Sequence, residues 1–183
     1  MNQIIYDIFF NLIGYLPYAM TTGLLLFSMI LLFNRYILKI KLQDYDHSYQ
    51  YRILLAYILY NYAFMVFCLT YLSREPGSRN KLDLMPFSTL STNWRLDVYP
   101  IENILLFIPL GILLPLLWKR FRSGYRCFKA GLLISVMIEL SQLITGRGYC
   151  QTDDVITNVI GTMVGYFIVH MYYFLQEQIL VNH

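Results

Sequence analysis

Charge is scarce in this chain. Asp, Glu, Lys and Arg make up 14% of its 183 residues, where an average soluble domain carries about 25%. Apolar residues reach 57%, so much of the surface is expected to face lipid. Histidine and cysteine are sparse too, at three each. Cys68, Cys127 and Cys150 form no CxxC pair and share no ligand spacing with a histidine, which argues against a zinc or redox site. His47 and His183 fall in segments expected to be cytoplasmic, His170 lies in a helix without a paired acid, and all three are read as structural. No Ser-His-Asp arrangement, metal-binding motif or nucleotide loop is present, and no cofactor is expected. No basic cluster alternates with aromatics as a nucleic-acid groove requires, so no nucleic-acid partner is expected. The first apolar run lacks a basic n-region and a clear small-residue cleavage site, so no cleavable signal peptide is expected.

Long uncharged runs are what the chain has. Crossing about 30 Å of hydrocarbon takes about 20 helical residues. Ile8 to Asn34, Ile53 to Ser73 and Val155 to Gln176 carry no charge. Asn103 to Trp118 is shorter and lengthens if Tyr99 to Glu102 join it. Ala130 to Gly146 contains one charge, Glu139. The expected fold is all-α: a polytopic membrane protein with about five transmembrane helices. Seventeen Tyr and twelve Phe suit a chain whose amphipathic rings sit at headgroup level. Pro109 removes a backbone hydrogen bond in mid-run and predicts a kink, and Pro115 either repeats the effect or ends the helix early. The short third and fourth runs either cross fully or re-enter.

Lys and Arg accumulate on the cytoplasmic side. The loop from Asn34 to Arg52 holds four of them (Arg35, Lys39, Lys41, Arg52) and that from Lys119 to Lys129 holds five (Lys119, Arg120, Arg122, Arg126, Lys129) without an acid. The alternate connections hold four (Arg74, Arg79, Lys81, Arg95) and one, Arg147. The N-terminus is therefore expected outside and the C-terminus in the cytoplasm. Cys68, Cys127 and Cys150 then fall in the membrane, the cytoplasm and the exterior, which argues against a disulfide framework.

The polar residues within and beside the runs are the candidate functional ones. Ser135, Glu139 and Gln142 share one face of the fourth span at i, i+4 and i+7. Asn103 opens the third span, and Asn158 lies one helical turn from Asp154 on the fifth. With Arg147, Asp153 and Asp154 in the last loop and Pro86 and Phe87 in the long loop, they gather at the exterior ends. Glu139 lies deeper, roughly 12 Å from Arg147 at helical rise. A carboxylate at that depth faces the bundle interior or a wet cavity. It stays ionised if paired with Arg147 or another cation and turns neutral if unpaired. The constellation reads as a polar pocket open to the outer leaflet, with the loop from Ser73 to Val98 as its lid. Simpler roles stand beside this one. Asp153 or Asp154 caps the fifth helix, Glu139 with Gln142 links helices, Gly146–Arg–Gly148 is a turn, and the GxxxG pattern Gly161–Gly165 permits close helix packing.

At these residues the sequence resembles the VanZ-like family, bacterial membrane proteins named for a teicoplanin-resistance factor. The matching stretches are Leu82-Asp-Leu-Met-Pro-Phe87, Glu102-Asn-Ile-Leu-Leu-Phe-Ile-Pro-Leu-Gly111, Ile138-Glu-Leu-Ser-Gln142 and Asp153-Asp-Val-Ile-Thr-Asn-Val-Ile-Gly161. The family's pattern maps onto Pro86, Phe87, Asn103, Phe107, Pro109, Gly111, Glu139, Gln142, Arg147, Asp154, Asn158 and Gly161. Asp83 stands where some relatives carry Asn. The uncharged runs and the basic loops give two N-terminal spans with a cytoplasmic loop over residues 1–75 and a cytoplasmic tail over 176–183, and the resemblance, which finds no motif in the first two spans, implies a VanZ-like domain over 76–175. It implies a multi-pass protein of the bacterial cell membrane that lowers susceptibility to teicoplanin, a lipoglycopeptide.

The function expected first is non-enzymatic. Membrane lipids surround the chain, and the outer pocket binds a lipid-linked wall precursor or a lipidated glycopeptide. Arg147 meets phosphate or carboxylate, and Asn103, Glu139, Gln142, Asp153, Asp154, Asn158, Pro86 and Phe87 complete the ligand set. An enzyme acting on a lipid headgroup is the alternative, with Glu139 or Asp154 as base and Arg147 stabilising negative charge. A third reading is an assembly module that meets another membrane protein through Gly161 and Gly165.

Overall fold

The structure, a computed structural model, describes residues 2–36, 47–73, 77, 82–87 and 98–181. It divides into two units, Met1–Ser73 and Arg74–His183. Among the described residues, five helices are long and apolar enough to cross a membrane.

The N-terminal unit consists of α1 (Asn2–Tyr36) and α2 (His47–Phe67). The last turn of α2 widens over Cys68–Leu72 into a π turn, closed by the Ser73 N–H donating to the Cys68 carbonyl at 2.9 Å. The two helices pack through Phe27, edge-on to Tyr57 at 5.5 Å. The Tyr57 hydroxyl donates to the Met20 carbonyl at 3.3 Å. Along α1, apolar side chains such as Leu25 and Met29 stand two-thirds exposed, at 65% and 67%. The hydroxyls of Thr21, Thr22 and Ser28 donate back to carbonyls one turn earlier, at 2.9, 2.6 and 2.6 Å. Outward apolar groups and inwardly satisfied polar ones are what hydrocarbon demands.

The C-terminal unit holds α3 (Val98–Leu117), α4 (Gly124–Thr145) and α5 (Thr152–Val181), with two-residue strands β1 (Leu82–Asp83) and β2 (Cys150–Gln151). A 3₁₀ turn, Lys119–Arg122, joins α3 to α4. With 20 and 22 residues, α3 and α4 extend about 30 and 33 Å, and neither turns back. Each is one continuous helix long and apolar enough to span hydrocarbon. Helix α3 passes through Pro109 and Pro115 to Leu117, so Pro115 does not end it early. Beyond it, the Trp118 N–H still donates to the Leu114 carbonyl at 3.0 Å. Helix α5 continues to Val181, so the described residues of the segment expected as a tail, from 176 on, belong to this helix.

Helices α3 and α5 run in the same direction with their backbones in contact. A Cβ at Gly111, Gly161 or Gly165 would overlap the carbonyl oxygens of Thr162, Ile104 and Ile108 respectively. Small residues permit this approach, which gains dispersion contacts that bulkier ones forbid. Phe107, Leu110, Leu114, Tyr166 and Val169 are buried in this unit. The GxxxG pattern is thus occupied within the chain. Gly161 and Gly165 face α3, and that stripe is not open to a second membrane protein.

Gly111→Ala or Gly165→Ala must push the two helices apart and is expected to cost about 1–3 kcal/mol. The unfolding midpoint of the purified protein in detergent should fall in both. Gly14→Ala, with nothing within 4 Å of the added carbon, should not lower it. Equal midpoints for all three variants would refute the close approach.

Candidate functional site

The starts of α3 and α5 and the end of α4 lie together, and hydrogen bonds between distant segments tie them. Asn103, in the first turns of α3, donates through Nδ2 to Asp154 Oδ1 at 2.8 Å. Glu139, only 3% exposed in the last turns of α4, accepts through Oε2 from the Gln151 N–H at 3.1 Å. One turn deeper, Asn158 Nδ2 donates to Ser135 Oγ at 2.9 Å. Both partners of that bond are buried. Thr162 Oγ1 donates to the Asn158 carbonyl at 3.0 Å, and Gly131 lies close to the Thr162 side chain. Buried polar groups need such partners, because an unmet one costs about 1–3 kcal/mol. Asn158 Oδ1 is one exception, with no hydrogen-bond partner among the described residues. The Oε1 atom of Glu102, beside Asn103, is likewise buried without one.

The turn between α4 and α5 sets the position of Arg147. Gly146 ends α4 in the left-handed region at φ 63°, which a residue without Cβ adopts freely. Its N–H donates to the Leu143 carbonyl at 3.2 Å, and the Arg147 N–H donates to the Gln142 carbonyl at 3.0 Å. This is the Schellman closure of a helix end. It leaves the Arg147 side chain half-buried beside buried Gln142. The expected Gly–Arg–Gly turn is present.

The next step joins the long loop to the cluster. Strands β1 and β2 pair in parallel, Leu82 with Cys150 and Asp83 with Gln151. Asp83 Oδ1 accepts from the Met85 N–H at 3.1 Å and turns the chain. Phe87 then adopts φ 64°, a costly conformation for a residue with a Cβ. Its N–H donates to Asp153 Oδ1 at 2.5 Å. Asp153 is 6% exposed, whereas Phe87 is 62% exposed. Asp153 and Asp154 both lie in the first turn of α5, where their charge suits the helix dipole. They also reach two other segments, Phe87 and Asn103.

The VanZ/LLP1 family model matches residues 52–175. The chain belongs to the VanZ/LLP1 family. Protein VanZ of Enterococcus faecium is 35% identical over 87 residues, covering 48% of this chain and 51% of that protein. The chain thus spans about half the length of this VanZ relative. No solved structure matches.

The VanZ-like unit brings the expected residues together. Asn103, Glu139, Gln142, Arg147, Asp153, Asp154 and Asn158 lie at one end, with Phe87 bonded to them and Pro86 adjacent. Of the loop expected as a lid, Gly77 and Leu82–Phe87 are described, and the rest lies outside the described residues. Ser135 and Thr162, outside the expected set, are the buried partners of Asn158. Ser135 shared a helix face with Glu139 in the sequence, but that pattern did not reveal its partner. Among the described residues no three His, Cys, Asp or Glu side chains converge to hold a metal ion. Chemically, the cluster offers carboxylate and amide oxygens as acceptors and one guanidinium as a cation.

Cys150 reports on these charges. Burial first, then the carboxylates of Glu139 and Asp154, push its thiol pKa above the ordinary value. The neutral thiol therefore persists to higher pH than in a free cysteine, and the reactive thiolate appears late. In a background lacking Cys68 and Cys127, the pH midpoint of maleimide reaction at Cys150 should exceed that of a free thiol. Glu139→Gln or Asp154→Asn should lower it. A midpoint unmoved by either change would mean that these carboxylates do not act on Cys150.

Proposed function

We propose that this protein is a multi-pass component of the bacterial cell membrane whose polar cluster binds the headgroup of an amphiphile at the outer leaflet. The ligand class is a lipid-linked wall precursor or a lipidated glycopeptide. The observation that carries the reading is the convergence of Asn103, Glu139, Asp154 and Asn158 at one end of the bundle, with Arg147 beside them. Polar groups inside a membrane protein are expensive and concentrate where function requires them. The basic connection Lys119–Lys129 joins the opposite ends of α3 and α4. The positive-inside rule assigns that end to the cytoplasm, which puts the cluster outside.

In this reading Arg147 meets phosphate or carboxylate as a planar fork of donors. Asp154 and Glu139 accept from ligand hydroxyls or amines, and Asn158 Oδ1 supplies a further acceptor. The exposed side chains of Met85 and Phe87 flank the headgroup. The family relationship supports a role in lowering teicoplanin susceptibility, since the family takes its name from such a factor.

The test is a deletion strain complemented with the wild type, Glu139→Gln or Arg147→Ala, grown against teicoplanin and vancomycin. Protection against teicoplanin alone, lost in both variants, is the expected result. Purified protein with labelled polyprenyl-phosphate lipid should show stoichiometric binding, weakened at least about tenfold in Arg147→Ala by loss of a charge-assisted contact. Product formation over a long incubation would replace this reading with a lipid-headgroup enzyme. Full protection by both variants would remove the cluster from the function.

A further inference from the structure

We propose that the connection between α3 and α4 is a binding site for anionic phospholipid headgroups. This inference concerns the end of the bundle opposite the candidate site and does not rest on the reading of that site. Between Lys119 and Lys129 the chain carries five cations and no acid. Lys119, Arg120, Arg122, Arg126 and Lys129 are all exposed. The acid nearest this end on α5 is Glu177, one turn beyond Tyr173, so the positive charge is largely uncompensated within the described residues of this unit.

Three of the cations lie over aromatic rings. The Arg122 guanidinium lies 4.3 Å from the centre of the Tyr173 ring and donates to the Tyr173 hydroxyl at 3.0 Å. Its carbonyl accepts from the Tyr166 hydroxyl at 3.0 Å. Arg120 sits 4.7 Å from the Phe121 ring centre, and Lys129 sits 4.6 Å from that of Tyr125. A guanidinium has five N–H donors, so Arg122, with one given to the Tyr173 hydroxyl, keeps others for phosphate oxygens while the ring holds it in place. Held side chains also lose less freedom when they bind. Trp118, Tyr125 and Phe128 are exposed around the cations, at 38%, 67% and 40%. Cations beside exposed aromatic rings match the layer where headgroups meet acyl chains. Helix α3 separates this ring of charge from Asn103 by about 20 Å along its axis, which places the cations toward the other leaflet.

The occupant is a phospholipid with a net negative headgroup, selected by charge and anchored by its acyl chains. Each Lys or Arg near such a surface strengthens binding about fivefold. The experiment uses the full chain with Trp94→Phe, so that Trp118 is the remaining indole. Brominated phosphatidylglycerol and brominated phosphatidylcholine compete for it in vesicles of mixed composition. Quenching should favour phosphatidylglycerol by on the order of tenfold at low salt, and the preference should shrink as salt rises. Lys119→Gln with Arg126→Gln removes exposed charges away from the ring contacts and should reduce the preference severalfold. Soluble glycerol phosphate at millimolar concentration should not relieve the quenching. Equal quenching by the two lipids, or a preference unchanged in the double variant, would overturn the proposal. Relief by glycerol phosphate would assign the site to a soluble phosphate and overturn it as well.

Discussion

The backbone contact between α3 and α5 is the constraint on which the C-terminal unit depends. Hydrocarbon gives helices little reason to associate through apolar side chains, because lipid tails are as good a partner as leucine. Close approach supplies dispersion contacts that lipid cannot replace. Gly111, Gly161 and Gly165 permit it, and so fix how the two helices lie against each other. Their first turns then stand side by side, within reach of the Asn103–Asp154 hydrogen bond. The third helix joins through another pair, Asn158 with Ser135. Packing thus sets the frame, and the polar network is the part of it that chemistry can use.

The two ends of this unit differ in electrical character. Glu139, Asp153 and Asp154 gather at one end and cationic side chains at the other. A membrane potential and an anionic inner leaflet act on the two ends in opposite senses. The Schellman closure at Gly146 brings the chain back after α4 with Arg147 beside Gln142.

The helices were legible in the sequence because hydrocarbon thickness sets their length, and charge-free runs such as Val155 to Gln176 announce it. The grouping of Asn103, Glu139, Gln142, Asp154 and Asn158 was legible because counting residues along each helix gives depth. The pairing of Leu82–Asp83 with Cys150–Gln151 was not. Two residues are too few to carry a strand's alternating pattern, and 68 positions separate the partners. Gly111 was legible as a motif residue, but its contact with Thr162 depends on how α3 is rotated, which the weak amphipathic pattern of an apolar helix does not specify. Pro115 left two outcomes open, because the lost hydrogen bond and the ring's clash with the preceding turn can bend a helix or end it; the helix runs on to Leu117 with the Pro115 ring buried, which removes the early end.

Phe87 carries one further consequence. A residue with a Cβ stays in the left-handed region only when its surroundings leave it no better choice, and here the Asp153 carboxylate grips its amide. Positions 87 and 153 are therefore mechanically coupled through the backbone: without the acid at 153 the restraint on the chain at 87 is gone, and the loop is free to relax to an ordinary conformation.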